Sequence, residues 1–168
     1  MVKATDIKVT TTLAEQINQT YIETYFPDTE GVLYKAEMGA DFKYLGEDPS
    51  AYVRFYNQKT LINDADMAPL VAFTKFLTES SDAEFESQLA QHFNVDGFAT
   101  YLAVNNLLVN VDSLADMGNN FYIFYNAETE RVDILYWDGN ESLGKLGNRS
   151  GGGAAQYNLY YESLSAMG

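Results

Sequence analysis

Apolar positions along the chain change their spacing several times, and each change predicts an element. Residues 7 to 14 (IKVTTTLA) are rich in β-branched side chains and predict a strand. Ile17, Tyr21, Ile22 and Tyr25 recur at helical spacing over residues 15 to 25, and Pro27 stops that helix. Val32-Leu33-Tyr34 follows Gly31 as a short strand. Residues 36 to 50 hold Gly39, Gly46 and Pro49 and read as loop, and Tyr52 to Tyr56 reads as a single helical turn. Asp64 or Asp66 would cap a helix running to Leu77, with Leu70, Val71, Phe73, Phe76 and Leu77 apolar. Ser81-Asp82-Ala83-Glu84 opens another helix, with Phe85 and Leu89 on one face. Val95 to Val109 has the strongest helical pattern. Val95, Phe98, Ala99, Leu102, Ala103 and Asn106 line one side, and Tyr101, Val104, Leu107 and Leu108 widen it, which predicts a helix central to the core. The spacing then shortens. Phe121 to Tyr125 and Val132 to Trp137 read as strands joined by a hairpin-length loop, 126 to 131. The tail beyond Gly144 carries Gly147, Gly151 to Gly153, Tyr157, Tyr160 and Tyr161. With no internal repeat and no interdomain linker, residues 1 to 168 read as one mixed α+β domain in which helices dominate.

Composition narrows the chemistry. Apolar residues make up 46% of the 168, enough for a packed core and incompatible with wholesale disorder. Ten Lys and Arg against 24 Asp and Glu give a net charge of −14, which argues against nucleic acid as a partner. Without cysteine there is no disulfide, thiolate metal site or thiol nucleophile. No signal peptide opens this chain and no apolar run is long enough for a membrane span. The acidic excess suits a protein that holds a hard cation with carboxylates.

The hairpin has a geometric consequence. If 126 to 131 is the turn, the start of the first strand faces the end of the second. Asn119 and Asn120 then come beside Asp138 and Asn140, at the ~5 Å spacing of cross-strand neighbours. Asp112 lies just after the long helix, on the loop that leads into the hairpin. Asp112, Asn120 and Asp138 are therefore expected at one mouth, where oxygen donors of this kind can share a hard cation. Such a set suits phosphoryl transfer, with one aspartate on a hydroxyl nucleophile and an aspartate with an asparagine on Mg²⁺. The same residue types also cap helices and make turns. Lys35 and Lys59 read either as phosphate partners or as surface lysines, and Trp137 either borders a nucleotide or packs in the core. His92, without Cys or a second His, is not a zinc site. Gly151 to Gly153 is not a phosphate-binding loop, since no Gly-Lys-Ser/Thr follows.

Several ordered motifs resemble one family. Tyr101-Leu-Ala-Val-Asn-Asn-Leu-Leu-Val-Asn-Val-Asp-Ser113, Gly118-Asn-Asn-Phe-Tyr-Ile123 and Trp137-Asp-Gly-Asn-Glu-Ser-Leu-Gly144 are similar to the spore coat protein H (CotH) kinase family. Glu15-Gln16-Ile17, Gly31-Val-Leu-Tyr-Lys35, Tyr44-Leu-Gly-Glu-Asp-Pro49, Gln58-Lys59-Thr60, Phe76-Leu77 and Ser81-Asp-Ala-Glu-Phe85 agree, so the resemblance covers about residues 13 to 146. It implies an atypical Ser/Thr protein kinase that uses ATP with Mg or Mn on protein substrates, in bacterial spore coats or at cell surfaces. It implies that Asp112 is the catalytic aspartate, that Asp138 of the Trp-Asp motif binds metal, and that Asn120 is a further metal position. Asn140 stands where many members carry a second Asp, which removes a charge and keeps a carbonyl oxygen. Lys35, Lys59 and Trp137 become the nucleotide-side candidates. The family's segment before Glu-Gln-Ile, with an Arg-Gly-Asn-Ser-type motif, has no counterpart in residues 1 to 12. The expected fold is a mostly helical kinase-like C-lobe with a β-hairpin and most of the N-lobe missing. The alternative expectation is a non-catalytic binding or assembly module on the same scaffold.

Overall fold

A computed structural model describes residues 14 to 60 and 66 to 143. The elements in order are α1 (Gln19–Tyr25), β1 (Gly31–Ala36), a 3₁₀ turn (Pro49–Ala51), β2 (Tyr56–Gln58), α2 (Ala68–Glu79), α3 (Asp82–His92), α4 (Val95–Leu107), β3 (Phe121–Asn126), β4 (Arg131–Tyr136) and a second 3₁₀ turn (Gly139–Glu141). The strands form one antiparallel sheet in the order β2-β1-β3-β4. The fold is mixed α+β, as the residue pattern predicts. The strand expected over residues 7 to 14 and the tail beyond Gly144 lie outside the described residues, apart from Ala14.

Both faces of the sheet are covered. Val32, Tyr34 and Ala36 of β1, Phe121 and Ile123 of β3 and Val132 and Ile134 of β4 pack with Leu70, Val71 and Phe73 of α2 and Tyr101 of α4. On the other face Leu33, Tyr122 and Phe124 pack with Ile17 and with Ile22 of α1. Burial on two faces is why β3 reads as a continuous apolar run (Phe-Tyr-Ile-Phe) without alternation. Each such side chain fully buried is worth about 1.5–3 kcal/mol. Gly31 lets β1 approach β3. Its φ is 156°, and a Cβ there would lie 2.0 Å from the Tyr125 carbonyl oxygen.

The helices follow the sequence with three corrections. First, α2 starts at Ala68 with Met67 as its N-cap residue, while the Asp66 carboxylate takes the Ala68 N–H at 3.0 Å. Asp64 lies outside the described residues. Second, residues 52 to 55 turn after the 3₁₀ segment, and Tyr56 then enters a strand, β2, that local pattern does not reveal. A three-residue strand has too few positions to show a period. Third, α4 is not central. Only Tyr101 and Asn105 are buried on it, Val95 and Val104 are exposed, and Leu107 is 77% exposed. The helix lies against one side of the sheet, so one stripe is enough to bury it and the remaining apolar positions face outward. The start of α3 needs no correction. Ser81 and Glu84 form a reciprocal capping box, and Phe85 stacks on Phe76 of α2 at 5.9 Å. None of the described helices is long and apolar enough to cross a membrane.

Buried hydroxyls give this core a pH signature. Burial pushes the Tyr34 and Tyr56 phenols above the ordinary value of 10. Below that pH both states keep the protons, and the tyrosine contribution to stability is fully present. Above it the unfolded chain releases protons that the folded chain retains, so stability falls as pH rises. The expected result is a urea midpoint that drops between about pH 9 and about pH 11, with a smaller drop in Tyr34→Phe.

Candidate active site

The site is assembled at the end of the sheet where β3 begins and β4 finishes. Its first part grows out of α4. Asn105, buried on that helix, donates from Nδ2 to the Tyr101 carbonyl at 2.8 Å. Its own Oδ1 accepts from Asn110 Nδ2 at 2.9 Å, and its carbonyl accepts the Asn110 N–H at 2.9 Å. This pair of amides ends α4 and turns the chain, with Val109 held at a φ of 49°. A β-branched residue in that region is strained, and such strain persists only where the surroundings impose it. The Tyr101 hydroxyl then takes the Leu114 N–H at 3.2 Å. Burial raises the Tyr101 phenol, and the Leu114 bond partly offsets the shift. Asp112 therefore sits on a loop fixed on both sides.

The Asp112 carboxylate is the centre of the arrangement. Its Oδ1 accepts from Asn119 Nδ2 at 3.1 Å and its Oδ2 from Asn120 Nδ2 at 2.8 Å. Two consecutive side chains reach it from the approach to β3 because Asn120 adopts a left-handed φ of 54°. Carbonyl oxygens of Gly118 and Ser113 hold the loop: Gly118 accepts from the Gly39 and Ala40 N–H groups at 3.0 and 3.1 Å, and Ser113 accepts from Met117 at 3.0 Å.

The second part comes from the hairpin. Phe121 pairs with Tyr136, so Asn120 and the Trp137-Asp138 step lie at the same end of the ladder. Asp138 has a φ of 51° and opens the second 3₁₀ turn. That turn is tied to α4 by the Leu143 N–H, which donates to the Leu108 carbonyl at 2.6 Å. Asp138 and Asn140 are exposed, and Asp112 and Asn120 are half-buried. Asp112 and Asn120 are in direct contact, and Asp138 and Asn140 belong to the same end of the hairpin. Among the described residues no three of His, Cys, Asp and Glu gather into a metal site. The donors expected from the sequence are the exposed Asp138 carboxylate and the amide oxygens of Asn120 and Asn140. Hard oxygen donors of that number suit Mg²⁺, which takes few protein ligands and completes its shell with phosphate and water.

The nucleotide-side candidates lie on the α1 face of the sheet. Trp137 packs edge-on against Tyr122 at 5.6 Å and is half-buried. Lys35 pairs with Tyr122 on one side and Asn57 on the other. Lys59 Nζ reaches the Asn57 side-chain oxygen at 3.1 Å once that amide is oriented to satisfy both neighbours. Lys35, Lys59 and Trp137 thus share a sheet face, and no contact joins any of them to Asp112.

Two residues at this end escape a reading of the sequence, and a third, placed there by the hairpin, gains a partner that local pattern does not predict. Asn119 is an equal partner of Asp112, where spacing suggests only proximity. Glu141 is a buried carboxylate on the second 3₁₀ turn. Glu37 follows β1, and the β1–β3 register carried two pairs beyond Lys35–Tyr122 sets it across from Asn120. Its charge helps raise the Tyr122 phenol, behind the larger effect of burial. Only the pairing of β1 with β3, 90 residues apart, brings Glu37 here.

Residues 12–163 match the family described as CotH kinase protein. The chain belongs to the CotH kinase family. Family membership agrees with the resemblance carried by the Asp112, Asn120 and Trp137-Asp138 motifs and makes the domain kinase-like. No curated protein matches the chain.

Gly118 gives this site a stability test. Its φ is 58°, and a Cβ would lie 2.4 Å from the Ala40 carbonyl oxygen. Gly118→Ala is expected to cost about 1–3 kcal/mol in urea unfolding, because the backbone of both loops has to shift. An unchanged midpoint would show that the 37–40 and 113–118 loops are not locked together.

Proposed function

We propose that this domain transfers a phosphoryl group from Mg- or Mn-bound ATP to a Ser or Thr hydroxyl of a protein substrate. The observation that carries the reading is the double amide grip on Asp112 beside the strand pair that delivers Asp138. A carboxylate has about four acceptor sites, and Asn119 and Asn120 use one on each oxygen. The remaining lone pairs can accept a substrate hydroxyl, orient its oxygen and take its proton as the new bond forms. Both donors are neutral, so Asp112 keeps its negative charge while its orientation is fixed. Asp138, with the amide oxygens of Asn120 and Asn140, would hold the divalent cation, which when bound neutralises phosphate charge. Lys35 and Lys59 would add positive charge on the α1 face, and Trp137 offers an aromatic edge to the base.

One feature favours a second reading, a binding or assembly module without catalysis. Asn140 supplies an amide where many family members carry a second Asp, which leaves Asp138 as the only carboxylate in the proposed ligand set.

Calorimetric titration with Mn·ATP separates the two. Binding is expected, and Asp138→Ala should weaken it at least tenfold. Asp112→Ala should keep most of the binding and lower phosphoryl transfer by about 10²–10⁴-fold, the usual contribution of a positioned base. Equal binding by Asp138→Ala and the unaltered chain would overturn the metal assignment. Binding without transfer in the unaltered chain would leave the assembly reading.

A further inference from the structure

The opposite end of the hairpin carries a second feature. A cavity of about 240 Å³ opens between α2, the end of α3 and the β3–β4 turn. Phe73, Phe76, His92, Tyr125 and Val132 line it, and Glu130 is its only acid. The aromatic walls are held by neighbouring rings. Phe76 is packed by Phe85 at 5.9 Å and His92 at 4.6 Å, and Phe73 by Phe42 at 5.6 Å and Phe93 at 5.5 Å. Glu130 is placed by the turn. Asn126 Oδ1 accepts the Glu128 and Thr129 N–H groups at 2.9 and 3.0 Å, and Glu130 follows with a φ of 54°.

Charge gives this cavity a preference. Among the described residues Glu130 forms no ion pair. The neighbouring Arg131 donates from Nη2 to the Phe93 carbonyl at 3.4 Å. The Tyr125 ring lies within the field of Glu130 and of Asp66, and both charges raise its phenol behind the effect of burial. An uncharged apolar guest would strip water from Glu130 without replacing it, and an anion would be repelled. A cation gains on both counts, from the carboxylate and from the aromatic faces. The net charge of −14 draws basic segments toward the surface before any contact forms.

We propose that this cavity binds a cationic side chain, arginine ahead of lysine, presented by a basic peptide segment of a partner protein. Arginine ranks first because its planar head stacks on aromatic rings while donating to a carboxylate. The inference does not depend on phosphoryl transfer. Tyr125 lies five steps along the chain from Asn120, so the two sites are about 17 Å apart along the strand.

The test is an NMR titration of the full chain with blocked glycine–arginine–glycine, glycine–lysine–glycine and glycine–citrulline–glycine peptides. The arginine peptide is expected to move the resonances of Phe73, Phe76, Tyr125 and Glu130, with lysine weaker and the neutral citrulline weaker still. Glu130→Gln should weaken arginine binding about two- to fivefold, the usual scale for losing an exposed charge partner. Glu130 is exposed, so this variant should fold, which its unperturbed spectrum would verify. Glu23→Gln, on α1 across the sheet, removes the same charge away from the cavity and should bind as the unaltered chain does. Three outcomes would overturn the proposal: equal weakening by both variants, which means attraction to net charge alone; citrulline binding as well as arginine; or Glu130→Gln binding unchanged.

Discussion

The structure depends on β3 being satisfied on all four sides at once. Its two edges pair with β1 and β4, and its two faces are buried by different clusters. A strand held this way has one register, because a slip of one residue would exchange its two apolar faces. That register decides where the strand begins, and so where Asn119 and Asn120 stand relative to Asp112. It also decides which residue of β4 is opposite that beginning, and so where Asp138 leaves the sheet. The chemistry at this end is a consequence of packing in the middle of the sheet.

Backbone strain follows the same logic. Non-glycine residues with left-handed φ include Val109, Asn120, Asp138 and Leu143, all in the segments that build the site. The conformation is costly for Val109 and Leu143 and better tolerated by Asn and Asp, and three of the four are held by a hydrogen bond nearby. Val109 is held between the end of α4 and the Asn105–Asn110 pair, Leu143 by its bond to Leu108, and Asn120 by its bond to Asp112. The site is therefore rigid because its parts over-determine one another, which is the condition for presenting a carboxylate in one orientation.

What could be read from the sequence divides along the range of the interactions. The hairpin was legible because its signals are local: two apolar runs and a short polar turn. Ser81 and Glu84 were legible for the same reason, since a capping box is complete within four residues. The proximity of Asn120 to the Trp137-Asp138 step followed from the hairpin by counting. Its hydrogen bond to Asp112 did not, because it needs the left-handed turn at Asn120. The roles of β2, Glu37 and Gly118 were hidden, because each depends on β1 or the loop after it meeting a partner far away in sequence. The exposure of α4 was hidden too. An apolar helix looks central in isolation, and only the placement of the sheet shows that a single stripe is covered.

The electrostatics of the two ends give the hairpin a direction. At the strand-start end Asp112 is held by neutral amides, so its charge is oriented and not cancelled. Asp138 and Glu37 belong to the same end, and Lys35 and Lys59 lie on the α1 face of the sheet. A polyphosphate cannot approach such a place on favourable terms by itself, since like charges at a few ångströms repel strongly in a partly buried site. In the proposed reading the divalent cation is thus as much a condition for nucleotide binding as an aid to chemistry. At the turn end Glu130 lines a cavity with aromatic walls, and there a protein side chain of opposite sign can supply the missing charge. The acidic excess of the chain then serves both ends in one way, making each receptive only to a ligand that brings positive charge with it.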